Sequence, residues 1–181
     1  MSPILGIWAS SQQGAAPSNS FESIATVSVG STVSSVTFSS IPSTYKHLQI
    51  RAFLVSGTSE NNYFQFNSDT ATNYQWHQFQ GDGSGNSPYA SNPTSNPPWG
   101  LNVSNATYPM VSIIDILDYA DTNKFKTVRT FSGNPGQNNS GYRVGFYSGA
   151  WRSTSAVTSI TLYNSNTQAN SHFALYGIKG A

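Results

Sequence analysis

The sequence contains no cysteine. Disulfides and thiolate metal sites are thereby excluded, and the redox compartment is left open. Charge is nearly as scarce. Lys and Arg number eight and Asp and Glu seven, 8% of the 181 residues, against a usual share of about 25%. The eight cations are scattered, so the basic cluster that electrostatic binding of nucleic acid needs is missing. No apolar run approaches the roughly 18 residues that span a bilayer. Residues 1–10 carry no positive charge and only a short apolar patch, which makes a poor secretory signal. Neither nucleic acid nor membrane is expected as a partner. No stretch has a convincing helical periodicity.

Polarity comes instead from Ser, Thr, Asn and Gln, and the apolar content is rich in rings. Ten Phe, ten Tyr and four Trp are enough to build a core, and the length suits one domain. A surface of hydroxyls and amides forms hydrogen bonds without the cost of desolvating ions. That suits a subunit packed against others. It suits equally a secreted carbohydrate-binding or adhesive β domain.

Residues 1–20 divide into an apolar tip (Ile4, Leu5, Ile7, Trp8) and a Ser/Gln/Gly/Pro linker. They read as an arm that docks on a neighbour, or else folds back as an edge strand. A single β domain follows over 21–181. Alternation of period two marks strands at 21–29, 33–39 and 47–55. In the last, Leu48, Ile50, Ala52 and Leu54 face inward while Gln49 and Arg51 face out. A hairpin around Asp69 is expected from 63–66 and 73–79. Residues 81–109 form one long Gly/Pro-rich loop, of the kind that usually contacts something, with Trp99 as its expected anchor. The isoleucine-rich run 111–117 reads as a central buried strand, though periodicity alone leaves a short helix open. Strands follow at 124–131 and 142–148. Residues 157–163 and 172–178 read as a closing hairpin, with Phe173 and Leu175 on one face and Ala174, Tyr176 and Ile178 on the other. About ten short strands separated by turn signals indicate an all-β antiparallel sandwich or jelly roll.

Candidate chemistry is thin. His47, His77 and His172 fall on three separate strands without metal-ligand spacing, and read as structural or surface residues. Asp115 and Asp118 would lie on opposite faces of a strand. They cannot form a dyad, and Asp115 needs a partner such as Arg51 or Arg129. The stretch Asp82-Gly83-Ser84-Gly85-Asn86 faintly resembles a calcium loop but lacks the closing acid. No nucleophile elbow, phosphate loop or zinc motif occurs. The sequons at Asn102, Asn105 and Asn138 matter only in a eukaryotic secretory setting. No catalytic residue, metal or cofactor is expected. The aromatics Tyr74, Trp76, Tyr89, Trp99 and Tyr108, in or beside the long loop, could meet a protein pocket or a sugar, or plug the end of the sandwich.

Three stretches carry a resemblance: Tyr45-Lys46-His47-Leu48-Gln49-Ile50-Arg51, Ile114-Asp115-Ile116-Leu117-Asp118-Tyr119, and Ser159-Ile160-Thr161-Leu162 with Phe173-Ala174-Leu175-Tyr176-Gly177-Ile178-Lys179-Gly180. Their strand pattern, spanning about 21–180, resembles uncharacterised structural proteins of tailed bacteriophages, notably those of marine bacteria and cyanobacteria. The resemblance implies a virion component and supplies no catalytic residues. The expectation is a non-enzymatic capsid decoration or cement subunit. It would assemble as a homo-trimer and attach to major capsid or tail proteins through Ile4, Leu5, Ile7 and Trp8. The alternative is a tail or fibre-tip module that binds a host-surface receptor or glycan through Tyr89, Trp99 and Tyr108.

Overall fold

The computed structural model describes residues 20–57, 62–101, 107–135 and 143–180. Among these residues there are eleven strands: β1 (Phe21–Ser28), β2 (Val33–Phe38), β3 (His47–Leu54), β4 (Tyr63–Phe66), β5 (Tyr74–Gly81), β6 (Asn86–Ala90), β7 (Met110–Leu117), β8 (Lys126–Asn134), β9 (Arg143–Trp151), β10 (Ile160–Thr167) and β11 (His172–Ile178). They form two antiparallel sheets. The larger runs β1-β11-β3-β7-β8-β9-β5-β6 and the smaller β2-β10-β4, which makes the fold an all-β sandwich.

The pleat explains the core. β3 buries Leu48, Ile50, Ala52 and Leu54, as its alternation predicts, and β7 adds Met110, Ile114 and Ile116 beside them. The small sheet answers with Val36, Phe38, Phe64, Phe66, Ile160 and Leu162. Each such side chain contributes about 1.5–3 kcal/mol when fully buried.

Several connections differ from the expected hairpins. β10 pairs with β2 and β4, whereas β11 pairs with β1 and β3. The two strands therefore face each other across the core. The polar turn between them is an arch. Ser171 fastens it, its hydroxyl accepting from Val55 N–H (2.9 Å) and donating to Val55 C=O (3.2 Å). Apolar faces on both strands are better buried against one another than laid side by side.

β4 and β5 likewise belong to different sheets. Asp69 holds the corner between them, accepting from Ala71 N–H (2.9 Å), Asn73 Nδ2 (2.9 Å) and Trp151 Nε1 (2.6 Å). Asn67 sits in the left-handed region at φ 51°, which Asn adopts more readily than most residues, and its amide is held by the distant 156–159 segment. Its Oδ1 accepts from Thr158 N–H (2.8 Å) and Ser159 N–H (3.1 Å), and its Nδ2 donates to Ala156 C=O (2.8 Å).

The stretch 81–109 is also not one irregular loop. It contains β6, paired with β5. Its turn is closed by Asp82, whose Oδ1 accepts from Ser84 N–H, Ser84 Oγ and Gly85 N–H at 2.8–3.0 Å. Those bonds to its own turn account for the acidic residue there. Residues 94–99 then run beside β4 and β5 through bridges at Thr94 and Pro98.

Candidate interaction surface

β7 is central in the sheet order, but it is buried on one face alone. Val111 and Ile113 point outward and are 53% and 42% exposed. The register carries this feature sideways. Along one rung Phe53 pairs with Val111, Val111 with Gly133, and Gly133 with Val144. Two residues away along the strands, Ile113 pairs with Phe131, Phe131 with Phe146, Phe146 with Phe79, and Phe79 with Pro88. The next rung is polar: Gln49, Asp115, Arg129, Ser148 and His77. An apolar band two rungs deep thus crosses the outer face of the large sheet.

A solvated antiparallel face ordinarily carries polar residues. Here Phe53, Phe79, Val111, Ile113, Phe131, Val144 and Phe146 are 40–58% exposed. Together they leave on the order of 600 Å² of apolar surface in water, at the upper limit for the largest patch of an ordinary monomer. The band has relief. Phe131 and Phe146, with ring centroids 4.9 Å apart, form with Phe79 a ridge over β8, β9 and β5. On the other half, small residues Ala174 and Gly133 flank a cleft of about 440 Å³ whose walls include Phe53, Val111, Ile113 and Tyr176. Arg51 borders the cleft. Its guanidinium lies 5.2 Å from the Tyr176 ring centroid and 6.0 Å from that of Phe21, and its Nε donates to Gln49 Oε1 (3.0 Å).

Several acidic side chains, with His47 and His172, bond within the fold. Asp115 accepts from Gln49 Nε2 (2.9 Å) rather than pairing with Arg51 or Arg129. Asp118, at φ 50°, binds Lys46 (2.9 Å) and Lys124 (3.3 Å). The Lys46 bond is the largest influence on its carboxyl; burial opposes it, and with the Lys124 bond and both cations' charge the carboxyl is held below the usual range. His47 Nδ1 accepts from Asp118 N–H (3.0 Å), and His172 Nδ1 bonds Ser28 Oγ (3.0 Å). Among the described residues no group of three or more His, Cys, Asp or Glu converges on one point.

The residues singled out in the sequence are not brought together. Ile4, Leu5, Ile7 and Trp8 lie outside the described residues. Trp99 is 1% exposed, so it is not a ring held out to a partner. The Pro97–Pro98 stretch alongside β4 drops Trp99 between the sheets. There its Nε1 donates to Tyr163 C=O (3.2 Å) and its ring meets Phe173 edge-on at 6.1 Å. It anchors its segment, as expected, from inside the core. Tyr74 is buried as well, its hydroxyl accepting from Phe66 N–H (2.9 Å). Tyr108 is half-buried, and Tyr89 on β6 is 57% exposed.

Sequence reading missed the outer band. The available signal was strands with apolar residues at both parities, such as Val144 and Phe146 beside Tyr147 on β9. Compared with family models, curated proteins and solved structures, the chain has no match.

Proposed function

We propose that the protein is a non-enzymatic structural subunit of a tailed-phage particle, a capsid decoration or cement protein that assembles as a homo-trimer through the outer face of its large sheet. The virion assignment rests on the strand-pattern resemblance. The assembly reading rests on one observation, the apolar band of Phe53, Phe79, Val111, Ile113, Phe131, Val144 and Phe146. Its area, with the flanking polar rung, approaches the roughly 800 Å² per partner of a standard stable interface. A second copy fits it because ridge and cleft lie on opposite halves of one face. A two-fold pairing would fill both halves at once; in the trimer each cleft instead takes the ridge of the next copy, and the contact closes as a ring of three. Residues 4, 5, 7 and 8 would then hold the trimer to the shell.

Sedimentation of the purified chain is expected to give a trimer. Phe146→Asp, far from the core, is expected to give a folded monomer with an unchanged far-UV spectrum. A wild-type monomer or dimer would overturn the ring. Quantitative mass spectrometry of purified particles tests the location, since a decoration subunit requires copy numbers comparable to those of the major capsid protein.

A further inference from the structure

The small sheet has three strands against eight, so it covers only part of the large one. Over β9 and β5 the inner face opens into a second cleft, of about 350 Å³. The inward side chains of β5 change character along the strand. Tyr74 is fully buried, and Trp76, Gln78 and Gln80 are half-buried. Amides thus stand where the pleat would place apolar residues. Tyr63, Tyr147 and Arg143 complete the working lining. We propose that this cleft binds an oligosaccharide carrying an acidic sugar.

The chemistry is that of a hydroxyl-rich ligand. Trp76 lies 5.1 Å from the Tyr89 ring and 6.3 Å from that of Tyr147. Trp76 lines the cleft, half-buried, with Tyr147 packed behind it and Tyr89 beside it, and a flat apolar ring face of this kind can cover the C–H face of a pyranose. A glutamine amide offers donors and acceptors together, as a sugar hydroxyl does. Among the described residues, neither glutamine side chain nor the Arg143 guanidinium makes a hydrogen bond or ion pair within the protein. The Tyr147 hydroxyl is likewise without a protein hydrogen bond, and burial keeps it protonated, its pKa pushed up to about 12. Arg143 is the one charged group in the lining. An unopposed guanidinium prefers a carboxylate or sulfate, which selects an acidic sugar over a neutral one. A lone arginine does not suffice for nucleic acid. This site stands apart from the outer band and does not depend on the assembly reading.

The test is calorimetric titration of the full chain with a uronate-containing oligosaccharide and with a neutral glucan of equal length. Saturable binding of the uronate, at least tenfold tighter than of the glucan, is expected. Trp76→Ala is expected to abolish it. R143Q is expected to remove the preference for the acid. Gln80→Ala, at a half-buried position, is expected to weaken binding several-fold without altering the melting temperature. No saturable binding by the wild-type chain overturns the proposal, as does binding that all three variants leave unchanged. Equal affinity for the two ligands overturns the acidic selectivity. Sedimentation of the same samples reports separately on the trimer.

Discussion

Gly177 shows how tightly single positions are specified. The Tyr45 ring lies over it, so a methyl group there would fall within the ring. Nor can the ring swing away freely, since Tyr45 Oη donates to Glu22 Oε2 (2.9 Å), and Glu22 is also paired with Lys179. An aromatic covering a strand glycine packs two strands where one has no side chain. Gly177→Ala should therefore destabilise by about 1–3 kcal/mol, the usual cost of overpacking, as read by urea unfolding. Lys126 is a second fixed residue. It is fully buried, with Nζ donating to the carbonyls of Asp121, Lys124 (2.8 Å) and Thr154 (3.2 Å). Its position on the inward parity of β8 was legible. Its role was not, because the backbone oxygens that hold it come from turns whose shape a side-chain pattern does not encode. Trp99 was legible as an anchor but not as a core residue, for a related reason. Proline and glycine on either side signal a loop, but not whether that loop passes outside or between the sheets.

At the scale of elements, local alternation was readable and partnership was not. β3 and β11 stand where their periods place them, whereas the apolar run of β7 marked a strand but not its exposed face. A short polar turn, however, joins strands side by side or across a core equally well, and only the choice of partner distinguishes β10–β11 from a hairpin. β6 escaped notice because its five residues, NSPYA, are all exposed and include a proline, which is tolerated at a sheet edge. Its single neighbour is β5. Local stability follows buried contact. The amides of Ser87, Tyr89 and Ala90 are therefore expected to exchange with deuterium at least ~100-fold faster than those of Leu48, Ile50 and Ala52. Comparable protection would mean that β6 is covered in solution.

For the whole molecule, the scarcity of charge confines pH dependence to two windows. Asp118 is held low by Lys46 first, and Glu22 by Lys179 and then Tyr45. Burial raises Asp69, but bonds from Asn73, Trp151 and Ala71 outweigh it and its pKa falls. The folded state favours these carboxylates charged, so their contribution is complete above the ordinary carboxylate range, about pH 4. It drains as pH falls below that range. Tyr147 behaves oppositely. Burial favours its neutral form and pushes its pKa to about 12, and burial raises Tyr74 too. That stability is complete below about pH 10, the unfolded tyrosine value, and is lost as pH rises toward 12. Melting temperature against pH should show a broad plateau with an acid and an alkaline shoulder. Tyr147→Phe is expected to soften the alkaline shoulder and leave the acid one in place.

The first and last strands meet at one corner. Phe21 pairs with Ile178, and Lys179 N–H donates to Ser20 C=O (3.1 Å). The chain therefore enters and leaves the domain at a single point. Tension applied through both ends would open β1 from β11 one rung at a time, like a zipper, and would not shear the sandwich. Under load the domain yields first at its margin. The central strands, with the outer band and the inner cleft they carry, stay out of the path of the force.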